Sequence, residues 1–312
     1  MTCEICVVAP IYNENSLVEE FVKQTASVLQ QITNNYEIIL VDDGSNDSSW
    51  KYILNETQKN NKVKGLKLSR NFGHHYAITA GIHNAKSNWV VVMDSDLQDR
   101  PEVIKDLFEK ANSGYDIVFV NRKNRPEGFF YLLLQKIFYF TLRLLSGIDF
   151  DSRQANFSII SNKVVDAFKN FPEQARFYGS TIKWLGFNST TIEADHGKRF
   201  SGRPSYTVKK RLKLASDIIL SFSERPLKIA VSIGLLMSVL SLGYFAWIIY
   251  GSLTRGFAVL GWPSVMASIL FSTGIILIVL GIIGTYIGKI FSEVKSRPLY
   301  VLTEKINFED NN

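Results

Sequence analysis

The sequence predicts an α/β protein: an open, mostly parallel sheet flanked by helices, followed by interfacial helices and a two-helix transmembrane hairpin. Three observations carry that prediction. Short apolar, β-branched runs alternate with helical stretches through the first two thirds of the chain. Polar and small residues gather where four of these runs end. Near the far end of the chain, two long segments are almost free of charge.

The runs Glu4–Ala9, Glu37–Asp42, Val63–Ser69, Trp89–Met93 and Asp116–Asn121 read as buried parallel strands, since both faces of such strands are covered by helices. Between them, Ser16–Thr33, Ser48–Lys59, His74–Ala85 and Pro101–Ser113 read as helices. Asn15 or Ser16 is suited to cap the first, and Pro101 suits a first turn. Open sheets of this kind bind ligands at the carboxyl ends of their strands. The first four runs end in APIYNEN, VDDGSNDSS, SRNFG and MDSDLQ. Four polar loops on one sheet edge imply a site.

Phe129–Ser146 is rich in aromatic and aliphatic residues, with Lys136 and Arg143 among them, and Thr207–Ser223 begins on a basic run and turns apolar. Both resemble helices lying in a membrane interface, although the first also fits a core helix. Ile229–Tyr250 and Val265–Ile287 follow. Each reaches roughly 33 Å as a helix, enough for a hydrocarbon layer of about 30 Å. The expected organisation is therefore a catalytic domain over residues 1–205, a juxtamembrane amphipathic helix over 206–225, two spans within 226–288, and a tail over 289–312. Glu304–Asn312 is polar and expected to fray.

The chain carries 35 Lys+Arg against 29 Asp+Glu, a net +6, and the excess is concentrated beside the two apolar segments. Lys198, Arg199, Arg203, Lys209, Lys210, Arg211 and Lys213 precede the first; Lys289, Lys295 and Arg297 follow the second; the connecting loop holds only Arg255. The positive-inside rule places both termini and the catalytic domain in the cytoplasm, in a multi-pass protein of the cytoplasmic membrane. Trp247 and Trp262 suit an interfacial belt. Met1–Pro10 is too short and too acidic for a signal peptide. This charge pattern favours anionic lipid headgroups or an anionic lipid substrate over nucleic acid. Cys3 and Cys6 lack a second pair, which argues for a structural role in a reducing compartment.

WVVVMDSDLQDRPE, residues 89–102, runs from an apolar strand straight into Asp94 and Asp96. A turn there can aim both carboxylates at one point, where a hard divalent cation, Mg²⁺ or Mn²⁺, would neutralise them; Gln98 offers a neutral oxygen within reach. Mg²⁺ keeps positions open for water and phosphate oxygens, which implies a diphosphate substrate. Asp42 and Asp43 at the head of the second run suit hydrogen bonds to a ribose or base, with Pro10, Tyr12 and Glu14 as a facing wall and Tyr12 able to stack. An Asx-turn and helix cap through Asn46 or Asp47 accounts equally well for the rest of that loop. Arg122 and Arg125 follow the fifth run and offer paired donors to a phosphate. Lys136 and Arg199 are further cations for the same purpose. His74 and His75 read as helix-start or packing residues rather than catalysts.

APIYNEN, VDDGSNDSS, SRNFGHHYAITAG and MDSDLQDRPE, in that order and spacing, resemble the inverting family 2 glycosyltransferases with a GT-A fold. The nearer resemblance is to the polyprenyl-phosphate glycosyltransferase branch, which includes dolichol-phosphate mannose synthases and bactoprenol glucosyltransferases. It spans nearly the whole chain, hairpin included. It implies transfer of a monosaccharide from a nucleotide sugar, most simply a UDP-sugar, to undecaprenyl phosphate, for cell-surface glycan modification such as that of lipopolysaccharide or cell wall. It also implies a nucleotide site of Pro10, Tyr12, Glu14, Asp42, Asp43 and Asp94, and a metal and diphosphate site of Asp94, Asp96 and Gln98, of which Asp94 and Asp96 would be catalytic. Arg122 matches the branch's phosphate-binding arginine, and homo-oligomers are common in the branch.

Two departures stand out. Where many members carry an acidic residue in G-D-F-R, this chain reads RQANFSIIS, with Asn156 in place of the Asp. An amide binds sugar hydroxyls but cannot act as a base. GRPSY at 202–206 replaces the commoner G-x-S-K-Y. Two rivals stay open: a processive polysaccharide synthase, which would show Q-x-x-R-W and more spans, and a membrane-tethered binding module without turnover.

Overall fold

In the computed structural model of the protein, the residues described are 3–122, 154–174, 176–195, 223–255 and 261–308. They fall into two compact units. The first draws on Met1–Leu132, Phe150–Ser205 and Arg297–Asn312, and the second on Leu133–Asp149 and Tyr206–Ser296.

In the first unit β1 (Cys3–Ile11), α1 (Val18–Ile32), β2 (Tyr36–Asp42), α2 (Ser49–Lys59), β3 (Val63–Leu68), α3 (His74–Asn84), β4 (Ser87–Val92), α4 (Val103–Asn112) and β5 (Ile117–Arg122) alternate. They are followed by β6 (Gln154–Ser161), α5 (Asn162–Lys169), α6 (Tyr178–Trp184), β7 (Ser189–Ala194) and, last in the chain, β8 (Leu302–Ile306). All eight strands form one sheet in the order β7-β5-β6-β4-β1-β2-β3-β8. β1 pairs in parallel with β2 and β4, β2 with β3, and β5 with β7; β6 and β8 run antiparallel to their neighbours.

The period-two pattern of β1 explains why the sheet is covered on both sides. Ile5, Val7, Ala9 and Ile11 join a layer with Phe21 and Leu29 of α1, Ile53 of α2 and Leu107 of α4. Cys6 and Val8 join the opposite layer, with Ile78 and Ile82 of α3, Phe168 of α5 and Ile182 of α6. Each fully buried aliphatic or aromatic side chain contributes about 1.5–3 kcal/mol. Such a sandwich fixes strand register, and with it the position of every loop at the carboxyl edge. Both thiols are free and buried, and burial pushes Cys3 up to about 12, so neither is poised for redox chemistry.

Three details differ from the sequence reading. α1 starts at Val18 with Leu17 at its N-cap and no side-chain cap bond, and the Asn15 backbone N–H donates to Asp47 (3.3 Å). Pro101 sits in the turn before α4, its carbonyl accepting the Ile104 N–H at 2.9 Å. The tail does not fray over 302–306: β8 lies along β3, and Glu304 pairs with Lys67 at 2.8 Å. Asn307 donates to the carbonyls of Thr57 (2.7 Å) and Val63 (2.8 Å), closing the strand's end.

In the second unit α7 (Arg225–Arg255) and α8 (Trp262–Val294) contain the two apolar segments. Their stretches Arg225–Tyr244 and Phe271–Val294 are long and apolar enough to cross a membrane, with 6% and 0% of residues buried. A core helix of a soluble protein would be mostly covered, and these are not. The interfacial helices expected at 129–146 and 207–223 lie outside the described residues, apart from Ser223.

Candidate active site

The loops after β1 and β2 are stitched together by their own polar groups. The Asn13 N–H donates to Ser45 Oγ (3.0 Å), Asn13 Oδ1 accepts from the Asn46 N–H (2.9 Å), and the Glu14 N–H donates to Ser49 Oγ (3.0 Å). Asn13 itself takes a positive φ of 55°, a conformation that Asn tolerates. Asp47 accepts the Ser49 N–H at 2.9 Å, the Asx-turn anticipated for this loop. Tyr12 is left projecting at 43% exposure, while Pro10 is buried.

Asp42 and Asp43 are both buried, at 0% and 3% exposure. Asp42 Oδ1 accepts the Ser45 N–H (3.2 Å), and its Oδ2 is buried without a hydrogen-bond donor. Asp43 reaches across to the loop after β3, accepting N–H groups from Phe72 (2.8 Å) and Gly73 (3.0 Å). Gly44 makes this approach possible: its φ is +67°, and a Cβ there would collide with the Arg70 and Asn71 backbone. Burial raises both carboxyls above their usual range, against the pull of these hydrogen bonds.

β4 delivers the second acidic pair. Ser95 turns inward, its hydroxyl between the Pro10 carbonyl (2.9 Å) and the Glu14 carboxyl, which ties the β1 loop to this corner. Leu97 adopts a positive φ of 57°, so the chain reverses and the Gln98 N–H donates to Asp96 Oδ1 (3.0 Å). Asp94 Oδ1 lies 3.3 Å from His74 Nε2, yet it is buried and receives no well-formed hydrogen bond. Burial acts to raise the Asp94 carboxyl, but His74 and then Arg122 outweigh it and hold it below its usual range. The reciprocal holds for His74: burial acts to lower it, and Asp94, Asp43 and Glu14 together raise it. Burial pushes Glu14 up, Ser95 resists, and Asp96 and Asp94 add to the rise.

These observations fit a hard divalent cation. Carboxylates of Glu14, Asp43, Asp94 and Asp96 act on one small region, and one Asp94 oxygen is buried without a donor. Among the described residues, no three His, Cys, Asp or Glu side chains group tightly enough to hold a metal alone. A site here would rest on Asp94 and Asp96, with remaining positions filled by ligand oxygens and water.

Arg122 closes β5 and sets Nη2 3.6 Å from Oδ1 of Asp99, a carboxylate that is 5% exposed. The two line a shallow cleft with Val103, Val120 and Phe157. Arg125, Lys136 and Arg199 lie outside the described residues. Asn156 stands on β6. The β4–β6 pairing ends at Val92 and Ser158, two residues short of Asp94 and Asn156. Asn156 Nδ2 is 3.2 Å from the same His74 Nε2 that faces Asp94. His74 opens α3, as the helix-start reading expected, and its ring also reaches the candidate site; its place after SRNFG, a third carboxyl-edge loop, was the available signal. His75 does pack: burial lowers it to about 3, and its Nδ1 accepts the Tyr178 N–H at 3.4 Å.

A mostly parallel sheet with helices on both sides and acidic loops at its carboxyl edge is the architecture of GT-A-like transferases. The chain belongs to glycosyl transferase family 2, whose model matches residues 6–168, and a GtrB C-terminal hairpin model matches residues 225–290. It is a glycosyltransferase. An uncharacterized glycosyltransferase of Synechocystis sp. is 39% identical over 305 residues, covering 97% of this chain and 96% of that protein. A bactoprenol glucosyl transferase of Shigella phage SfII is 33% identical over 300 residues, covering 96% and 97%. In fold, the chain is similar to glucosyl-3-phosphoglycerate synthase from Mycobacterium tuberculosis, crystallised with Mn²⁺, UDP and glucosyl-3-phosphoglycerate. That likeness has a TM-score of 0.51 and 17% identity over 70% of this chain and 78% of the other.

Proposed function

We propose that the protein transfers a monosaccharide from a nucleotide diphosphate sugar, a UDP-sugar, to undecaprenyl phosphate, with inversion, at the cytoplasmic face of the membrane. The observation that carries this reading is the corner of Asp94 and Asp96, whose charges both act on the Glu14 carboxyl beside them. The relative named as a bactoprenol glucosyl transferase supports a polyprenyl phosphate acceptor. The neighbour crystallised with Mn²⁺ and UDP supports a divalent metal, Mg²⁺ or Mn²⁺, and a uridine nucleotide.

Asp94 and Asp96 would hold the metal, with Gln98 close by, and the metal would offset the negative charge that develops on the leaving diphosphate. The protein's own residues do the remaining work. Tyr12 is exposed beside the β1–β2 loops and is free to stack on a base, with Pro10 and Glu14 behind it. Asp42 and Asp43, buried at the head of β2, would complete that nucleotide site. The acceptor is already an anion near neutral pH, so its attack needs orientation and charge compensation more than a base. Arg122 supplies a guanidinium at the edge of the site, held beside Asp99; Arg125, Lys136 and Arg199 extend the same basic character. Asn156 offers an amide to sugar hydroxyls.

Connectivity supports the hairpin. Residues before α7 and after α8 belong to one sheet, so a chain that crosses a bilayer in α7 must return in α8. The flanking cations then favour a cytoplasmic catalytic domain. A thiol reagent that cannot cross membranes should label a Leu253→Cys variant from outside the cell; labelling only from the cytoplasm would refute the orientation. The activity itself is tested by incubating membranes with a panel of radiolabelled nucleotide sugars and undecaprenyl phosphate. A labelled glycolipid dependent on one donor is the expected product; no lipid-linked label with any donor would sink the assignment. Such a product would serve as donor for cell-surface glycan modification.

A further inference from the structure

We infer that His74 is a positioning residue for the metal corner, clasped between Asp94 and Asn156, so that the amide on β6 and the carboxylate after β4 are set by one imidazole. This inference rests on the nucleotide-diphosphate and metal reading above. Its basis is geometric. His74 Nε2 lies 3.3 Å from Asp94 Oδ1 and 3.2 Å from Asn156 Nδ2. Three elements distant in sequence meet at that single atom: the start of α3, the end of β4 and the first half of β6.

The chemistry of residue 156 follows from the clasp. A side-chain amide presents a donor and an acceptor, so by turning it can meet an imidazole nitrogen that is protonated or one that is not. An aspartate at 156 would only accept. It would compete with Asp94 for the same ring nitrogen and add another carboxylate to Glu14, Asp43, Asp94 and Asp96. Asn156 and His74 therefore belong together, and the departure from the acidic residue is matched by the imidazole facing it. His74 itself is held in place: it opens α3 directly after Gly73, whose N–H is bound by Asp43, and its ring meets that of His75 edge-on at 5.5 Å. Asp43, through the β3 loop, thus supports the position from which His74 reaches Asp94.

Groups that orient metal-binding carboxylates typically change metal affinity by about 10–100-fold when removed. The test is direct binding of Mn²⁺ to the full-length protein in detergent with UDP present, read by electron paramagnetic resonance of free Mn²⁺. His74→Ala should weaken Mn²⁺ by that factor. His74→Gln, which returns an amide N–H near the Nε2 position, should recover most of it. Asn156→Ala should weaken Mn²⁺ less, and should add nothing in the His74→Ala background, because the two act as one unit. Wild-type affinity in a folded His74→Ala protein would overturn the inference, as would His74→Gln no better than Ala, or additive effects of the two alanines. If His74→Ala does not fold, Asn156→Ala decides the matter alone: weakened Mn²⁺ binding supports the clasp, and wild-type affinity overturns it. Wild-type protein that binds no Mn²⁺ with UDP would instead remove the underlying reading, and the clasp with it.

Discussion

Two acidic pairs sit at the ends of strands that flank β1, and they are held in different ways. Asp42 and Asp43 after β2 are buried, and the backbone N–H groups of Ser45, Phe72 and Gly73 engage three of their four oxygens' worth of capacity through Oδ1 of Asp42 and both oxygens of Asp43. Asp94 after β4 faces an imidazole instead, and its Oδ1 lacks a donor. Each pair keeps one buried oxygen without a donor, Oδ2 of Asp42 and Oδ1 of Asp94, and Asp96 accepts the Gln98 N–H. The pairs differ in the kind of partner: Asp43 is held by backbone N–H groups of a neighbouring loop, whereas Asp94 faces a side-chain imidazole.

The sharpest way to break this contrast is to neutralise one member of each pair. Asp96→Asn should lower transfer by about 10²- to 10³-fold, the scale of losing one preorganised electrostatic contact, with thermal unfolding little changed. Activity near wild type in that variant would equate the second pair with the first. Asp43→Ala should do the reverse in kind, costing stability by about 1–3 kcal/mol for a backbone N–H left without its acceptor. Asp43→Asn keeps a carbonyl oxygen and should recover part of the loss; both are read from melting temperatures. A smaller effect concerns pH. Burial lowers His75 to about 3 and His83 to about 4, so the folded protein resists protons that the unfolded chain takes up near its usual imidazole value of 6.5. Their contribution should therefore be level above pH 6.5 and fall as pH drops from there towards 4, while the raised His74 adds stability that is lost as pH rises above 6.5. The raised carboxyls of Glu14, Asp42 and Asp43 act in the other direction, but nearer the carboxylate range. A melting temperature that rises between pH 7 and pH 5 would contradict the assignment of neutral, buried imidazoles.

Much of this architecture is legible in the residues. β1, β4 and β5 announce themselves as apolar runs buried on both faces, while β2 and β3 interrupt theirs with Glu37, Lys64 and Lys67. β7 and β8 are not announced in this way, since STTIEA and LTEKI lie at sheet edges, alternate between half-buried and exposed, and carry few apolar side chains. β8 is also separated from its partner β3 by the whole hairpin, a pairing no local pattern encodes. In the candidate site, Asp94, Asp96 and Gln98 were expected from their spacing together with the polar loops around them, and the Asx-turn at Asp47 is found as expected. The reach of His74 into the site was not legible. Its role depends on Asp94, after β4, and Asn156, on β6, both approaching its ring, and on Asp43 fixing the loop ahead of α3, all long-range facts. Arg122 was legible as a cation at the right strand end, but its partner Asp99 was not, because that contact depends on the turn at Leu97.

The central claim is that a divalent ion completes the corner of Asp94 and Asp96. Its most direct test is transfer of labelled sugar to undecaprenyl phosphate by membranes stripped with EDTA and then resupplied with Mg²⁺ or Mn²⁺. Activity should disappear on stripping, return with the ion in wild-type membranes, and fail to return in Asp96→Asn. Full transfer in the presence of EDTA would contradict the account.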